Sequence, residues 1–408
     1  MDSAKESAGR VLALFPMLVF LASMAAIGVI SALVLGPTST SDIPCAIPCA
    51  TPCATPYVNP SPYDELVYHR KYSEGPNVSA RAAILVEAST GTILYARNEH
   101  EIREPASITK IMTAIVAIER GDLADIVQVS ANAARVGGSS LGLAAGQRYK
   151  LEELIRATML RSGNDGATAV AEHVGGSVAG FVELMNARAY SMGLKHTRFA
   201  NPHGLSAPGH HSTAYDIALM CIWGFRLRKF ADIVGCPELW SSPLAGGQPR
   251  LTYSTNRLLW SLAGADGVKT GTTSKAGHCL AASATRDGLQ FIAVVLRSGA
   301  RFHDAAALLE YGFANFVRVD VARAGEPVAD GLAGRRGATT AGLATARDVS
   351  MVVRRSEVDQ LDSQVIVAER LKANTRAGNH AGWLRVLFDE EEVGAYPLYT
   401  VESPKKRG

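Results

Sequence analysis

Three short segments of this chain carry side chains that can do chemistry together: Ser107-Ile-Thr-Lys110, Ser162-Gly-Asn164 and Lys269-Thr270-Gly271. A serine hydroxyl attacks a carbonyl only when a neighbouring base takes its proton, and a lysine amine in apolar surroundings is such a base. A second serine beside an asparagine offers a proton relay and an amide that can bond a substrate amide. Lys-Thr-Gly offers a cation, a hydroxyl and a position where a ligand can approach the backbone. The set points to acyl transfer through an acyl-serine.

No member is specific alone. Ser403-Pro-Lys-Lys406 repeats the first spacing, and Ser130-Ala-Asn132 and Ser254-Thr-Asn256 repeat the second. Ser403 lies in a charged tail. Ser130 follows the strand-like Ile126–Val129 and reads as a helix N-cap. Ser254 sits in a polar turn. Position in the fold has to choose between the copies.

The surrounding pattern supplies those positions. Ala83–Ala88 and Thr92–Tyr95 flank Ser89-Thr90-Gly91 as strand, turn and strand. Pro105 introduces an apolar helical run from Ile108 to Glu119, which puts Ser107 at a helix start and Lys110 one turn on, on the same face. Leu151–Leu160 and Ala167–His173 read as two helices, with Ser162-Gly-Asn164 as the loop between them. Asp266–Thr272, Gly277–Ser283 and Leu289–Leu296 read as an antiparallel meander closed by a helix at Asp304–Phe316. Lys269 and Thr270 then line a cleft, and the main-chain N–H groups of Ser107 and Thr272 are candidates for an oxyanion hole.

The segment from Arg81 to Phe316 resembles the D-alanyl-D-alanine carboxypeptidases among the low-molecular-mass penicillin-binding proteins. The resemblance is carried by Pro105-Ala-Ser-Ile-Thr-Lys-Ile-Met-Thr113, Ser162-Gly-Asn-Asp-Gly-Ala167, Asn201-Pro-His-Gly-Leu205, Ser212-Thr-Ala-Tyr-Asp216 and Asp266-Gly-Val-Lys-Thr-Gly271. It implies an α+β catalytic domain, an antiparallel sheet with helices, followed by a small β-rich domain. It implies Ser107 as nucleophile, Lys110 as its base and Ser162 as proton donor to the leaving amine. Asn164, Lys269, Thr270, Gly271 and Thr272 would bind substrate, and Arg301 would face its terminal carboxylate. No cofactor and no metal belong to this reading. The implied partners are a peptidoglycan stem peptide ending in D-Ala-D-Ala and β-lactam antibiotics. A peptidoglycan DD-endopeptidase, a β-lactamase and a non-catalytic wall-binding scaffold share the fold. A deacylating Glu-x-x-Leu-Asn motif is missing, and Glu183-Leu-Met-Asn186 matches it only in part.

The full 408 residues divide by composition. Residues 1–10 carry charges of both signs and read as a cytoplasmic N-terminus. Residues 11–36 are an apolar run long enough to span a bilayer, a signal-anchor by its length, with a cleavable signal peptide as the alternative. Residues 37–77 form a Pro-rich linker, 78–317 the catalytic domain, 318–402 the β-rich domain and 403–408 a basic tail. This order puts the catalytic domain on the extracytoplasmic side of the cell membrane. In the linker, Cys45, Cys49 and Cys53 recur every four residues. They suit either a disulfide-linked dimer or a stiff stalk with idle thiols, and the oligomeric state stays open. Cys221, Cys236 and Cys279 lack metal-site spacing and read as buried thiols. His203, His210 and His211 cluster without helical spacing and read as a polar rim of the site, not a zinc site. A net charge of only +3 argues against nucleic acid as a partner.

Overall fold

The computed structural model describes Tyr72 and residues 74–241, 243–244, 248–333, 339–367, 376–401 and 405–406. The apolar run at 11–36, the cysteines of the linker and Ser403 lie outside these residues. Among the described residues, no helix is long and apolar enough to cross a membrane.

The catalytic half is built on one antiparallel sheet. Its strands are β1 (Ala82–Glu87), β2 (Ile93–Arg97), β7 (Ala265–Thr273), β8 (Gly277–Arg286) and β9 (Leu289–Leu296), in the order β2-β1-β9-β8-β7. Successive side chains on a strand point to opposite faces. Ala82, Ile84 and Val86 of β1, with Ile292 and Val294 of β9, pack into one core, and Ala83, Leu85, Ala293 and Val295 into another. Both faces are therefore covered, which explains why β1 and β9 read as continuous apolar runs. Each fully buried Ile, Leu, Val or Phe contributes about 1.5–3 kcal/mol.

One face carries the helices. Among them are α1 (Lys110–Arg120), α3 (Leu151–Arg161), α4 (Asn164–Gly175), α5 (Val178–Ser191), α6 (Ala214–Phe225) and α7 (Arg228–Val234), with the short α2 (Ala131–Ala134) and the ribbon β3 (Ile126–Gln128) with β4 (Arg148–Lys150) at the rim. The other face is covered by α9 (Arg301–Asn315). A small hairpin, β5 (Glu238–Ser241) with β6 (Arg250–Tyr253), precedes the one-turn α8 (Leu258–Ser261) and leads into β7.

Three helix starts near the site differ from the sequence reading. α1 starts at Lys110, not Ile108, because a 3₁₀ turn precedes it. α4 starts at Asn164, not Ala167, so Asn164 belongs to its first turn. α9 starts at Arg301, not Asp304. The competing motif copies have structural roles. Ser130 caps α2 by accepting from Ala133 N at 2.9 Å, and Ser254 Oγ accepts from Asn256 N, whose side chain donates to Gly267 O of β7 at 2.6 Å. Cys221 and Cys279 are buried, but Cys236 is only half-buried, because it lies on the link after α7, where it donates to Glu238 O.

The β-rich half pairs β10 (Phe316–Ala322) with β13 (Val349–Arg354). A second sheet runs β11 (Ala329–Ala333), β12 (Thr339–Thr345), β16 (Glu391–Thr400), β15 (His380–Phe388), β14 (Leu361–Val367). Tyr72 is buried where the two halves meet: its ring packs edge-on against Phe316 and its hydroxyl donates to Glu357 at 3.0 Å. Arg354 stacks on that ring and pairs with Glu74 at 3.1 Å.

Candidate active site

Ser107 lies in a 3₁₀ turn, Ala106–Thr109, that runs directly into α1. Ala106 is buried and held at φ +50°, an unfavourable conformation for alanine that costs roughly 1–3 kcal/mol. The turn is forced by packing. A Cβ on Gly204 would stand 1.9 Å from Ala106 O, and one on Gly271 would stand 3.1 Å from Ser107 N. Only glycines at 204 and 271 let the loop Asn201–Leu205 and strand β7 close on the Ala106–Ser107 segment from two sides.

Lys110 does not reach solvent. It is fully buried, and its Nζ lies 3.1 Å from Ser107 Oγ, 2.7 Å from Asn164 Oδ1 and 2.7 Å from His203 O. A neutral amine has two hydrogens and one lone pair. Asn164 Oδ1 and His203 O can only accept, so they take both hydrogens, and the lone pair is left for the Ser107 hydroxyl. The asparagine orientation is fixed independently, since its Nδ2 donates to Gly137 O at 2.8 Å. Burial, with Lys269 nearby, lowers the Lys110 pKa well below the ordinary lysine value, against an opposing pull from Asp165. The shift is toward the neutral form that a base requires.

Ser162 closes α3 in the left-handed conformation, φ +69°, and is 6% exposed. Asn164 follows at the start of α4. Lys269 sits mid-strand on β7, with its neighbour Thr270 Oγ1 2.7 Å from Thr255 Oγ1. Among the described residues Lys269 Nζ has no hydrogen-bond partner, although the side chain is 1% exposed. Burial and Arg301 lower its pKa to about 7. A buried cation without a partner is costly and is satisfied when an anion enters. Arg301 reaches the same strand from the first residue of α9: its Nη1 donates to Gly271 O at 3.0 Å and to Thr272 Oγ1 at 2.8 Å. Ser107, Lys110 and Asn164 thus form one bonded cluster, and Gly271, Thr272 and Arg301 another. Gly271 brings the second against the first.

A family profile described as D-alanyl-D-alanine carboxypeptidase matches residues 69–300, and one described as penicillin-binding protein 5, C-terminal domain, matches residues 316–406. The chain belongs to the D-alanyl-D-alanine carboxypeptidase family. It is 32% identical over 340 residues to the D-alanyl-D-alanine carboxypeptidase DacF of Bacillus subtilis, covering 81% of this chain and 87% of that one. To DacD of Escherichia coli it is 33% identical over 347 residues, covering 80% and 87%. The structure of penicillin binding protein 5 from Haemophilus influenzae superposes with a TM-score of 0.72 at 27% identity, over 82% of this chain and all of that one. A mutant form of the Streptomyces K15 DD-transpeptidase matches with a TM-score of 0.57 at 30% identity, over 59% of this chain and 99% of that one.

The carboxypeptidase-family site also depends on residues to which the sequence reading gave no role in the chemistry. Asp165 is buried, and its carboxylate accepts from the N–H groups of Leu141, Gly142 and Leu143 and from Ser140 Oγ. It therefore holds the loop that supplies Gly137 O to Asn164. From the opposite side, Arg250 donates to Leu141 O. His210 is not on a rim: it is 3% exposed, its Nδ1 accepts from Ala200 N at 3.0 Å and its Nε2 lies 2.8 Å from Thr109 Oγ1. Burial lowers its pKa to about 4. His203 is half-buried, and burial, followed by Lys110 and His210, lowers its pKa to about 4 as well. Both rings are neutral at ordinary pH, so they add no charge beside Lys110.

Proposed function

We propose that this protein is a serine D-Ala-D-Ala carboxypeptidase that removes the terminal D-Ala from peptidoglycan stem peptides through an acyl-serine intermediate. The observation that carries the reading is the buried Lys110 amine 3.1 Å from Ser107 Oγ, with both its hydrogens engaged elsewhere. Ser107 Oγ attacks the carbonyl carbon between the two D-alanines while Lys110 takes its proton. The Ser107 and Thr272 N–H groups receive the developing oxyanion. Ser162 gives its proton to the leaving amine and takes the one on Lys110, so the C–N bond breaks, D-Ala departs and Lys110 is neutral again. Water, deprotonated by Lys110, then cleaves the ester and restores Ser107. Asn164 aligns the scissile segment, Gly271 leaves room for the substrate backbone, and Lys269, Thr270 and Arg301 hold the terminal carboxylate. Arginine suits this task because its planar fork binds a carboxylate bidentately.

The same nucleophile would be acylated by penicillin. The partial match to a β-lactamase deacylating motif gains no support: Asn186 on α5 is tied through both ends of its amide to Phe199. The apolar run at 11–36 supports an N-terminal membrane anchor with the catalytic domain outside the cytoplasm.

Incubation with a peptide ending in D-Ala-D-Ala, followed by assay of free D-alanine, tests the reading. Release by the unmutated protein and none by Ser107→Ala is expected. No release by either overturns it.

A further inference from the structure

Arg301 is the first residue of α9, and the turn before it, Ser298–Ala300, must be fixed if its guanidinium is to stay on β7. Five residues around that turn form a closed hydrogen-bond set. Asp304 is 2% exposed, and its Oδ2 accepts from Ser79 Oγ at 2.7 Å and from Ser298 Oγ at 2.7 Å. Ser79 Oγ in turn accepts from Gly299 N at 3.0 Å and Ala300 N at 3.2 Å, and Ser298 Oγ accepts from Ala300 N at 2.9 Å. Each serine has one hydroxyl hydrogen, and Asp304 Oδ2 accepts both. The two oxygens are left free to receive the N–H groups of the turn. Ser298 N also donates to His278 O of β8 at 2.9 Å. Asp304 stands three residues after Arg301, one helical turn on.

We propose that Asp304 and Ser79 are positioning residues for Arg301, and that through it they set the preference of the site for a peptide ending in a free carboxylate. This rests on the carboxypeptidase reading above. Asp304 is buried and has no part in the chemistry proposed above. It fixes the start of α9, and Ser79 ties that start to the segment that enters the sheet at β1. The simpler role for such a buried carboxylate is to stabilise the helix start alone. The two roles differ in what they do to substrate preference. A helix-stabilising role lowers activity on all substrates alike. A positioning role lowers it only where Arg301 has a carboxylate to meet.

The test compares kcat/KM on a D-Ala-D-Ala peptide with that on the same peptide ending in D-alaninamide, for the unmutated full chain, Ser79→Ala, Asp304→Asn, Arg301→Ala and the double variant Asp304→Asn/Arg301→Ala. Melting curves identify variants that fail to fold. Because Ser79 is solvent-exposed, its substitution keeps the test open if Asp304→Asn does not fold. Misplacement of a binding group costs about ten- to a hundredfold. Ser79→Ala and Asp304→Asn should therefore lose about tenfold or more on the free acid and less than about twofold on the amide, and Asp304→Asn should add nothing in the Arg301→Ala background. Equal losses on the two peptides, or a further loss on top of Arg301→Ala, would overturn the positioning role and leave the carboxypeptidase reading standing. If Arg301→Ala does not favour the amide over the acid, the carboxylate role of Arg301 fails, and the positioning role with it. No turnover of either peptide by the unmutated chain would remove the function itself.

Discussion

Asn164 Oδ1 accepts a 2.7 Å hydrogen bond from Lys110 Nζ while the other end of the same amide donates 2.8 Å to Gly137 O. The asparagine thus joins Lys110 to the loop that Asp165 organises. Its replacement leaves a buried amine without one of its acceptors and frees it to rotate away from Ser107. Asn164→Ala should lower the rate of acylation by about a hundredfold. Steady-state kinetics and the rate of penicillin labelling measure it. A loss under about threefold would mean that Lys110 holds its position without this bond.

The pH dependence of acylation follows from the Lys110 environment. The base must be neutral, so the rate rises with pH through the Lys110 pKa and reaches its plateau well below the ordinary lysine value. Lys269 is a positive neighbour that helps to lower that pKa. Lys269→Met removes the neighbour, favours protonated Lys110 and should move the acid limb to higher pH. Rapid-mixing measurements with a chromogenic β-lactam across pH read the shift. A limb that stays in place or moves down would contradict the proposed coupling.

His203 and His210 make stability depend on acidity. Their folded pKa values lie near 4, against about 6.5 unfolded, so between those values the unfolded chain binds protons that the folded chain excludes. Stability is full above about 6.5 and falls as pH drops toward 4, on the order of 2 kcal/mol for each ring. The melting temperature should fall over that window. His210→Gln should start lower at pH 7, because it loses the bonds to Thr109 and Ala200, and should then fall less steeply.

Gly204 tests the packing behind Ser107. Its φ is +89°, and an added Cβ would meet Ala106 O at 1.9 Å, a backbone atom that cannot swing aside. Gly204→Ala should displace Ser107 and lower kcat/KM by about a hundredfold, with a folding cost of roughly 2 kcal/mol. Retained activity in a folded Gly204→Ala protein would show that the Ala106–Ser107 segment is not clamped.

The strands were legible because alternation and turn residues are local signals: Asp287-Gly288 marks the β8–β9 turn, and the apolar run of β9 marks a strand with both faces covered. A helix start next to the first motif was legible from Pro105 and the apolar face that follows, but the 3₁₀ turn that moves it from Ile108 to Lys110 was not. The start of α4 was hidden, since Asn164 and Gly166 both look like loop residues, and the buried contacts that keep them helical come from elsewhere in the chain. Serine gives no sign of the left-handed conformation that Ser162 adopts. The roles of Asp165 and His210 were illegible for a related reason. Asp165 accepts from N–H and O–H groups 22 to 25 residues away in sequence, and His210 meets Thr109 across 101 residues, so neither pairing leaves a periodic trace.

The central claim is that Ser107 is the nucleophile and that Lys110 activates it. Intact-protein mass spectrometry after brief incubation with benzylpenicillin, followed by peptide mapping, tests it most directly. One covalent adduct per chain, mapped to the peptide containing Ser107, absent in Ser107→Ala and formed far more slowly in Lys110→Ala, is the expected result. An unmodified protein, or an adduct that persists in Ser107→Ala, would contradict the account.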